Sequence, residues 1–148
     1  MSGVKLTYTI DDQAAREFLS RLGDADTRPM FDEIGGYLDS EVARRFISGE
    51  DWEGNALIPS QRALNEGGKT LVEFVHLRDS YTHNVYIDGS GVEHGSGMVY
   101  AAIQHYGGKT GRNHSTELPP RPVMGINAHD ESEINNIVDD FYQSVVNG

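Results

Sequence analysis

Near its C-terminal end the chain reads "TELPPRPVMGIN", from Thr116 to Asn127. Pro119, Pro120, Arg121 and Pro122 run directly into Val123, Met124, Gly125 and Ile126. Proline has no backbone N–H and clashes with a preceding helical turn, so this run is neither a helix interior nor a central strand. Three roles fit a stiff, arginine-bearing segment. It is a polyproline ligand for a partner domain, a post that holds an arginine for phosphate or catalysis, or a structural joint. Position favours the joint. A helix signal follows only a few residues later, whereas a ligand motif belongs on a tail.

That helix signal is Asp130 with Glu133, which reads as a capping box. Ile134, Ile137, Val138, Phe141 and Val145 then recur at helical spacing. Before the proline run the order is mixed. Val4, Leu6, Tyr8 and Ile10 alternate as a half-buried strand. Asp11 or Asp12 caps a helix carrying Ala15, Phe18, Leu19 and Leu22, with Gly23 as its left-handed end. Pro29 fits a first helical turn. Phe31, Ile34, Leu38, Val42 and Phe46 predict an amphipathic helix of about five turns. Its Gly35-Gly36 pair allows a close approach by a helix or a sheet.

Gly49 to Gly68, with the chain's one tryptophan at Trp52, reads as a long irregular segment. Leu71 to Leu77 fits a strand or a short helix equally. Tyr81, His83, Val85 and Ile87 alternate up to the turn Asp88-Gly89-Ser90-Gly91, and Val92 to His94 returns as a hairpin partner. Val99 to Tyr106 reads as a short helix stopped by Gly107-Gly108, and Lys109 to Glu117 as a polar loop. The two long loops are expected to order on docking to a partner. Helices and antiparallel strands are segregated, which gives an α+β fold: amphipathic helices on a small antiparallel sheet with a long β-hairpin. The 148 residues are read as one domain, 1–148.

Composition narrows the function. There are no cysteines, so disulfides and thiolate metal sites are excluded. No signal peptide or membrane-spanning run is evident, and a soluble chain is expected. A formal charge of −11 disfavours coating nucleic acid. The charge is uneven, however. Lys109, Arg112 and Arg121 face only Glu117 in their segment, while Asp130, Glu131, Glu133, Asp139 and Asp140 have no Lys or Arg among them.

Motif searches for chemistry come back thin. Two "GGKT" strings, Gly67–Thr70 and Gly107–Thr110, lack the further P-loop glycine, because Ala63 and Ile103 hold those positions. "GSGVEHGSG" (Gly89–Gly97) reads as hairpin turn plus bulge, and Ser96 lacks a nucleophile-elbow frame. The histidines at 76, 83, 94, 105, 114 and 129 form no paired i, i+4 set. No catalytic residue, cofactor site or metal site is therefore expected. A small His/Asp-dependent hydrolase or other metal-dependent enzyme is the competing class, with a binding adaptor as a third.

One ordered pattern goes further. "DWEGNALIPSQRAL" (51–64) is followed by "GGKTLVEFVHLRDSYTHNVYIDGSGVEHGSGMVYAAIQHYGG" (67–108) and then "LPPRPVMGINAHDESEI" (118–134). In that order these blocks resemble the phage virion morphogenesis (tail completion) family of contractile-tailed, Mu-like phages. Trp52, Leu77, Ser80, Gly95, Ser96, Tyr100, Ala101, Ile103, Gly107, Gly108, Pro119, Arg121, Pro122 and Gly125 fall on the family pattern. Two places depart from it. Gln104-His105 inverts the family's His-Gln pair, and His76 to Ser80 lacks its glycine. The resemblance implies a non-enzymatic virion protein that completes or terminates the tail and prepares the neck for head joining. It implies a homo-oligomeric ring, commonly of six, located in the virion after assembly in the host cytoplasm. The implied partners are copies of itself, a tail tube or sheath protein, and a neck or head-completion protein, with no membrane and no sequence-specific nucleic acid. Trp52, Lys109, Arg112 and Arg121 are the expected interface residues. Arg121 has two open roles: bonding within its own subunit, or reaching the next.

Overall fold

The computed structural model describes residues 13–67 and 75–148. The expected strand at Val4–Ile10 lies outside them, as does most of Leu71–Leu77. Among the described residues, helices α1 (Gln13–Asp24), α2 (Arg28–Ser48), α3 (Gln61–Glu66) and α4 (Val75–Ser80) precede the hairpin β1 (Thr82–Val85) and β2 (Val92–Gly95). Helix α5 (Ala101–Tyr106), a second small hairpin of β3 (Gly108–Thr110) and β4 (Thr116–Leu118), and helix α6 (Ala128–Asn147) complete the order. The class is α+β. The strands form two separate two-stranded antiparallel ladders, with His83 opposite His94 in the first and Lys109 opposite Glu117 in the second.

Helix α2 is the axis. Pro29 starts it, and Gly49, in the left-handed region at φ 73°, ends it and returns its N–H to the Arg45 carbonyl. Its apolar stripe divides along its length. Met30, Ile34 and Leu38 pack against Ile134, Ile137, Val138 and Phe141 of α6 and against Val92. Val42 and Phe46 join Leu57, Leu77, Tyr81, Ala101 and Val123 in a second cluster. Full burial of such side chains contributes about 1.5–3 kcal/mol each. The first hairpin lies along α2. Its base is fixed by Tyr81 against Phe46, with ring centroids 5.9 Å apart. Its turn is fixed by the Thr27 hydroxyl donating to the Gly89 carbonyl at 2.6 Å.

Several expectations are corrected. Gly23 is not a helix end: α1 runs through it to Asp24, and Leu19 points to solvent while Phe18 and Leu22 are half-buried. The capping box of α6 is set by Asn127, whose side chain accepts from the Asp130 N–H while Asp130 accepts from the Asn127 N–H. Asn127 wins because its carbonyl reaches the N3 amide, which makes Asp130 the returning partner rather than the cap. Residues 109–117 are the β3–β4 hairpin with a 3₁₀ turn at Arg112–His114, not a polar loop. Gly49–Gly68 is less irregular than expected, because Ser60 caps the short helix α3. Its first part is pinned within the chain: Leu57 is buried, and its N–H donates to the Gly49 carbonyl at 2.8 Å.

Gly107 shows why the glycines at 107–108 matter. It has φ 72°, and a Cβ there would lie 2.7 Å from the Leu118 carbonyl oxygen and 2.8 Å from the Pro120 nitrogen. It thus ends α5 and also lets the proline segment pass. The partition of the core sets a stability contrast. Leu77→Ala is expected to cost about 2–5 kcal/mol, and Leu19→Ala to stay within about 0.5 kcal/mol, both read from urea unfolding monitored by circular dichroism.

Candidate functional site

The segment that opened the question is held by two arginines. Arg121 is 5% exposed. Its Nε donates to the Ile58 carbonyl at 2.8 Å, a second guanidinium nitrogen donates to the Pro59 carbonyl at 3.3 Å, and its backbone N–H donates to the Gln104 carbonyl at 2.8 Å. Of its two open roles the structure shows the one inside the subunit: Arg121 ties the Trp52 loop and α5 to the proline run. Burial pushes its guanidinium pKa down. Trp52 belongs to the same joint. Its N–H donates to the Pro122 carbonyl at 2.9 Å, its carbonyl accepts from the Asn127 side-chain amide at 2.8 Å, and its ring lies over Gly125. A Cβ on Gly125 would come within 2.4 Å of that ring, so a glycine is needed at this place in "PVMGIN".

Beside this joint sits the most buried ion pair. Arg45 and Asp130 have side chains 1% and 0% exposed, with a nitrogen–oxygen distance of 2.6 Å. The Arg45 guanidinium also donates to the carbonyls of Val123 at 2.8 Å and Gly125 at 3.0 Å. Asp130 accepts from the Tyr37 hydroxyl at 2.9 Å and from the Asn127 N–H at 3.0 Å. Burial alone pushes the Asp130 carboxyl up. The Asn127 N–H, the Tyr37 hydroxyl and the Arg45 guanidinium together outweigh it, and the net shift is downward. Sequence reading missed this pair. A signal exists, since Arg45 falls seven residues after Leu38 on the core-facing stripe of α2. Asp130 is 85 residues further along and carries no such mark.

Lys109 and Arg112 are placed differently. Both are exposed on the β3–β4 hairpin, and neither makes an ion pair among the described residues. Asn113 and His114, at φ 59° and 52°, turn the chain sharply beside Arg112. The structure therefore separates the four expected interface residues into an internal pair, Trp52 and Arg121, and a solvent-facing pair, Lys109 and Arg112.

The histidines fall into distinct settings. His83 bonds Asp39 and Asp32 through its two ring nitrogens, at 2.6 and 2.8 Å. His94, opposite it on β2, is half-buried. His105 packs edge-on against Tyr106, and burial lowers its pKa. The inverted pair is used through its backbone: Gln104 supplies a carbonyl to Arg121, while Gln104 Oε1 and His105 Nδ1 find no hydrogen-bond partner among the described residues. Among the described residues no group of three or more His, Asp or Glu side chains has the arrangement to hold a metal ion, and no helix is long and apolar enough to cross a membrane. A cleft of about 320 Å³ lies between α2, β2 and residues 124–126, walled by Leu38, Val42, Val92 and Met124 together with Arg45 and His94.

A buried polar joint, an exposed cationic hairpin and a mostly apolar cleft are thus the main features, and comparison with known proteins places them in a family. The family model described as the phage virion morphogenesis family matches residues 10–142, and the chain belongs to that family, whose members take part in building virions. Among curated proteins it is similar to the Mu-like prophage FluMu G protein 2 of Haemophilus influenzae. The two are 30% identical over 131 residues, covering 86% of this chain and 88% of that protein. No solved structure matches the chain.

The joint has measurable consequences. Asp130→Asn removes the closer of the two carboxylates that pair with the buried Arg45, leaving only Glu41 at 3.8 Å, and is expected to cost about 3–5 kcal/mol. Because the Asp130 pKa is depressed on folding, its contribution is present above its ordinary value of 3.8 and is lost as pH falls through the folded value. Unfolding curves from pH 7 to pH 2 should show the variant less stable at neutral pH and losing less on acidification. Arg121→Ala is expected to destabilise the chain by about 1.5–3 kcal/mol, measured in the same way.

Proposed function

We propose that this chain is a non-enzymatic structural protein of the virion that completes the phage tail and contributes to the tail–neck junction, working as a ring of identical subunits. The observation that carries this reading is the family match over residues 10–142. Similarity to a Mu-like prophage protein along most of both chains supports a contractile-tailed phage setting.

The geometry adds support. A closed ring needs a heterologous contact between two different surfaces of one subunit. The exposed Lys109 and Arg112 on the β3–β4 hairpin offer one such surface, and the acidic outer side of α6, with Glu131, Asp139 and Asp140 exposed, offers one of opposite sign. A tail tube, sheath or neck protein with an acidic rim is the other possible counterpart to that hairpin.

The competing hydrolase reading fares worse on the same geometry. A His–Asp pair acts as a general base through the ring nitrogen that the carboxylate leaves free. In His83 both nitrogens are already taken by carboxylates.

Light scattering and electron microscopy of the purified protein, alone and with tail tubes, test the proposal. Rings or capped tubes are expected, whereas a monomer that leaves tube ends bare would overturn it. Lys109→Glu with Arg112→Glu is expected to abolish assembly with an unaltered circular dichroism spectrum, while Trp52 and Arg121 variants lose monomer stability first.

A further inference from the structure

Asp32, Gly35 and Asp39 are spaced three and four residues apart, so they line one face of α2. That face carries the first hairpin. The His83 ring of β1 lies in the notch over Gly35, so close that a Cβ there would stand 2.3 Å from two ring carbons. On either side of the notch, Nδ1 lies 2.6 Å from Asp39 Oδ2 and Nε2 lies 2.8 Å from Asp32 Oδ1. An ionised carboxylate only accepts hydrogen bonds, and a neutral imidazole has one N–H to give. Both contacts are hydrogen bonds only when the ring carries two protons.

We propose that protonated His83 is a clamp that seats the β1–β2 hairpin on α2, so that the seating of this hairpin and of its exposed Tyr86–Ile87 tip loosens as pH rises. The surrounding groups fit that role. From α2 the ring is faced by Asp32 and Asp39, with Arg45 further along the helix toward His94. From β2 it is faced by its cross-strand partner His94, whose Nε2 lies 3.1 Å from Asp39 Oδ1. Burial pushes the His94 pKa down, opposite in direction to the shift at His83. The tether at the turn, Thr27 to the Gly89 carbonyl, is uncharged and indifferent to pH.

The hydrogen bond to Asp32 is the main cause that raises the His83 pKa. Burial opposes it, and the Asp39 contact adds to it. With the folded value above the ordinary 6.5, the clamp contributes fully below 6.5 and is lost as pH rises through the folded value. One linked proton changes an opening equilibrium by at most about tenfold per pH unit.

This inference is independent of the assembly reading and is tested on the free protein. Histidine ring signals are titrated by NMR, and hydrogen–deuterium exchange is followed at the amides of residues 82–95, corrected for intrinsic exchange. His83 is expected to titrate above 6.5, and hairpin protection to fall by up to about tenfold per pH unit through that midpoint. Asp32 is 73% exposed, so Asp32→Asn keeps the fold. In that variant the His83 midpoint and the loss of protection should both move to lower pH. In His83→Gln, a neutral side chain, the pH dependence should vanish. A wild-type midpoint at or below 6.5, a midpoint unmoved by Asp32→Asn, or corrected protection flat across the titration would each overturn the clamp.

Discussion

A guanidinium withdrawn from water has to find its partners inside the chain, and much of this fold is the answer to that demand at Arg45. The pair with Asp130 is joined by the Val123 and Gly125 carbonyls, the Tyr37 hydroxyl, the Asn127 N–H and, at 3.8 Å, the Glu41 carboxylate. Such a pair adds little stability over apolar side chains of the same volume, because desolvation offsets most of the attraction. What it adds is position. Apolar α6 residues on apolar α2 residues tolerate sliding, whereas Asp130 meets Arg45, Tyr37 and the Asn127 N–H together at one register only. The pair therefore fixes where α6 starts. Through the Val123 and Gly125 carbonyls it also fixes the path of the segment before α6.

The proline run is rigid for the same end. A flexible chain at 119–122 would have to be ordered before the Val123 and Gly125 carbonyls that follow it could meet one guanidinium, at a conformational cost of about 1–2 kcal/mol per residue. Proline removes much of that cost in advance. Arg121 then ties the run outward to Ile58 and Pro59, and Gly125 lets Trp52 close over it. Two arginines thus hold one short segment from opposite sides.

The parts that local chemistry dictates were legible in the sequence. The α2 stripe, Pro29, the hairpin turn at 88–91 and the α6 stripe follow from periodicity and from residues with special backbone preferences. Gly35 as a site of close approach followed from its size. The misses have a common cause, in that a partner distant in sequence decided them. Asn127 and Asp130 share the cap because Asp130 is also drawn to Arg45. The residues at 109–117 pair as strands because Gly107 brings Leu118 alongside. The role of Arg121 stayed open between its own subunit and the next because nothing near it in sequence shows that it reaches the 58–59 carbonyls. Lys109 and Arg112, by contrast, lie exposed on the β3–β4 hairpin.

Two charged contacts anchor elements to α2, and their chemistry differs in a way that matters for assembly. Arginine does not give up its proton in proteins, and the hydrogen bonds around Asp130 hold its carboxyl below the usual range. The α2–α6 joint is therefore constant except in strong acid. Histidine titrates near neutrality, and the contact between the first hairpin and the same helix contains one. A single helix thus carries one ionic contact that keeps its charge and one whose histidine can titrate. The hairpin bears exposed Tyr86 and Ile87 at its turn, so the clamp proposed at His83 would set how firmly an apolar tip is held against α2.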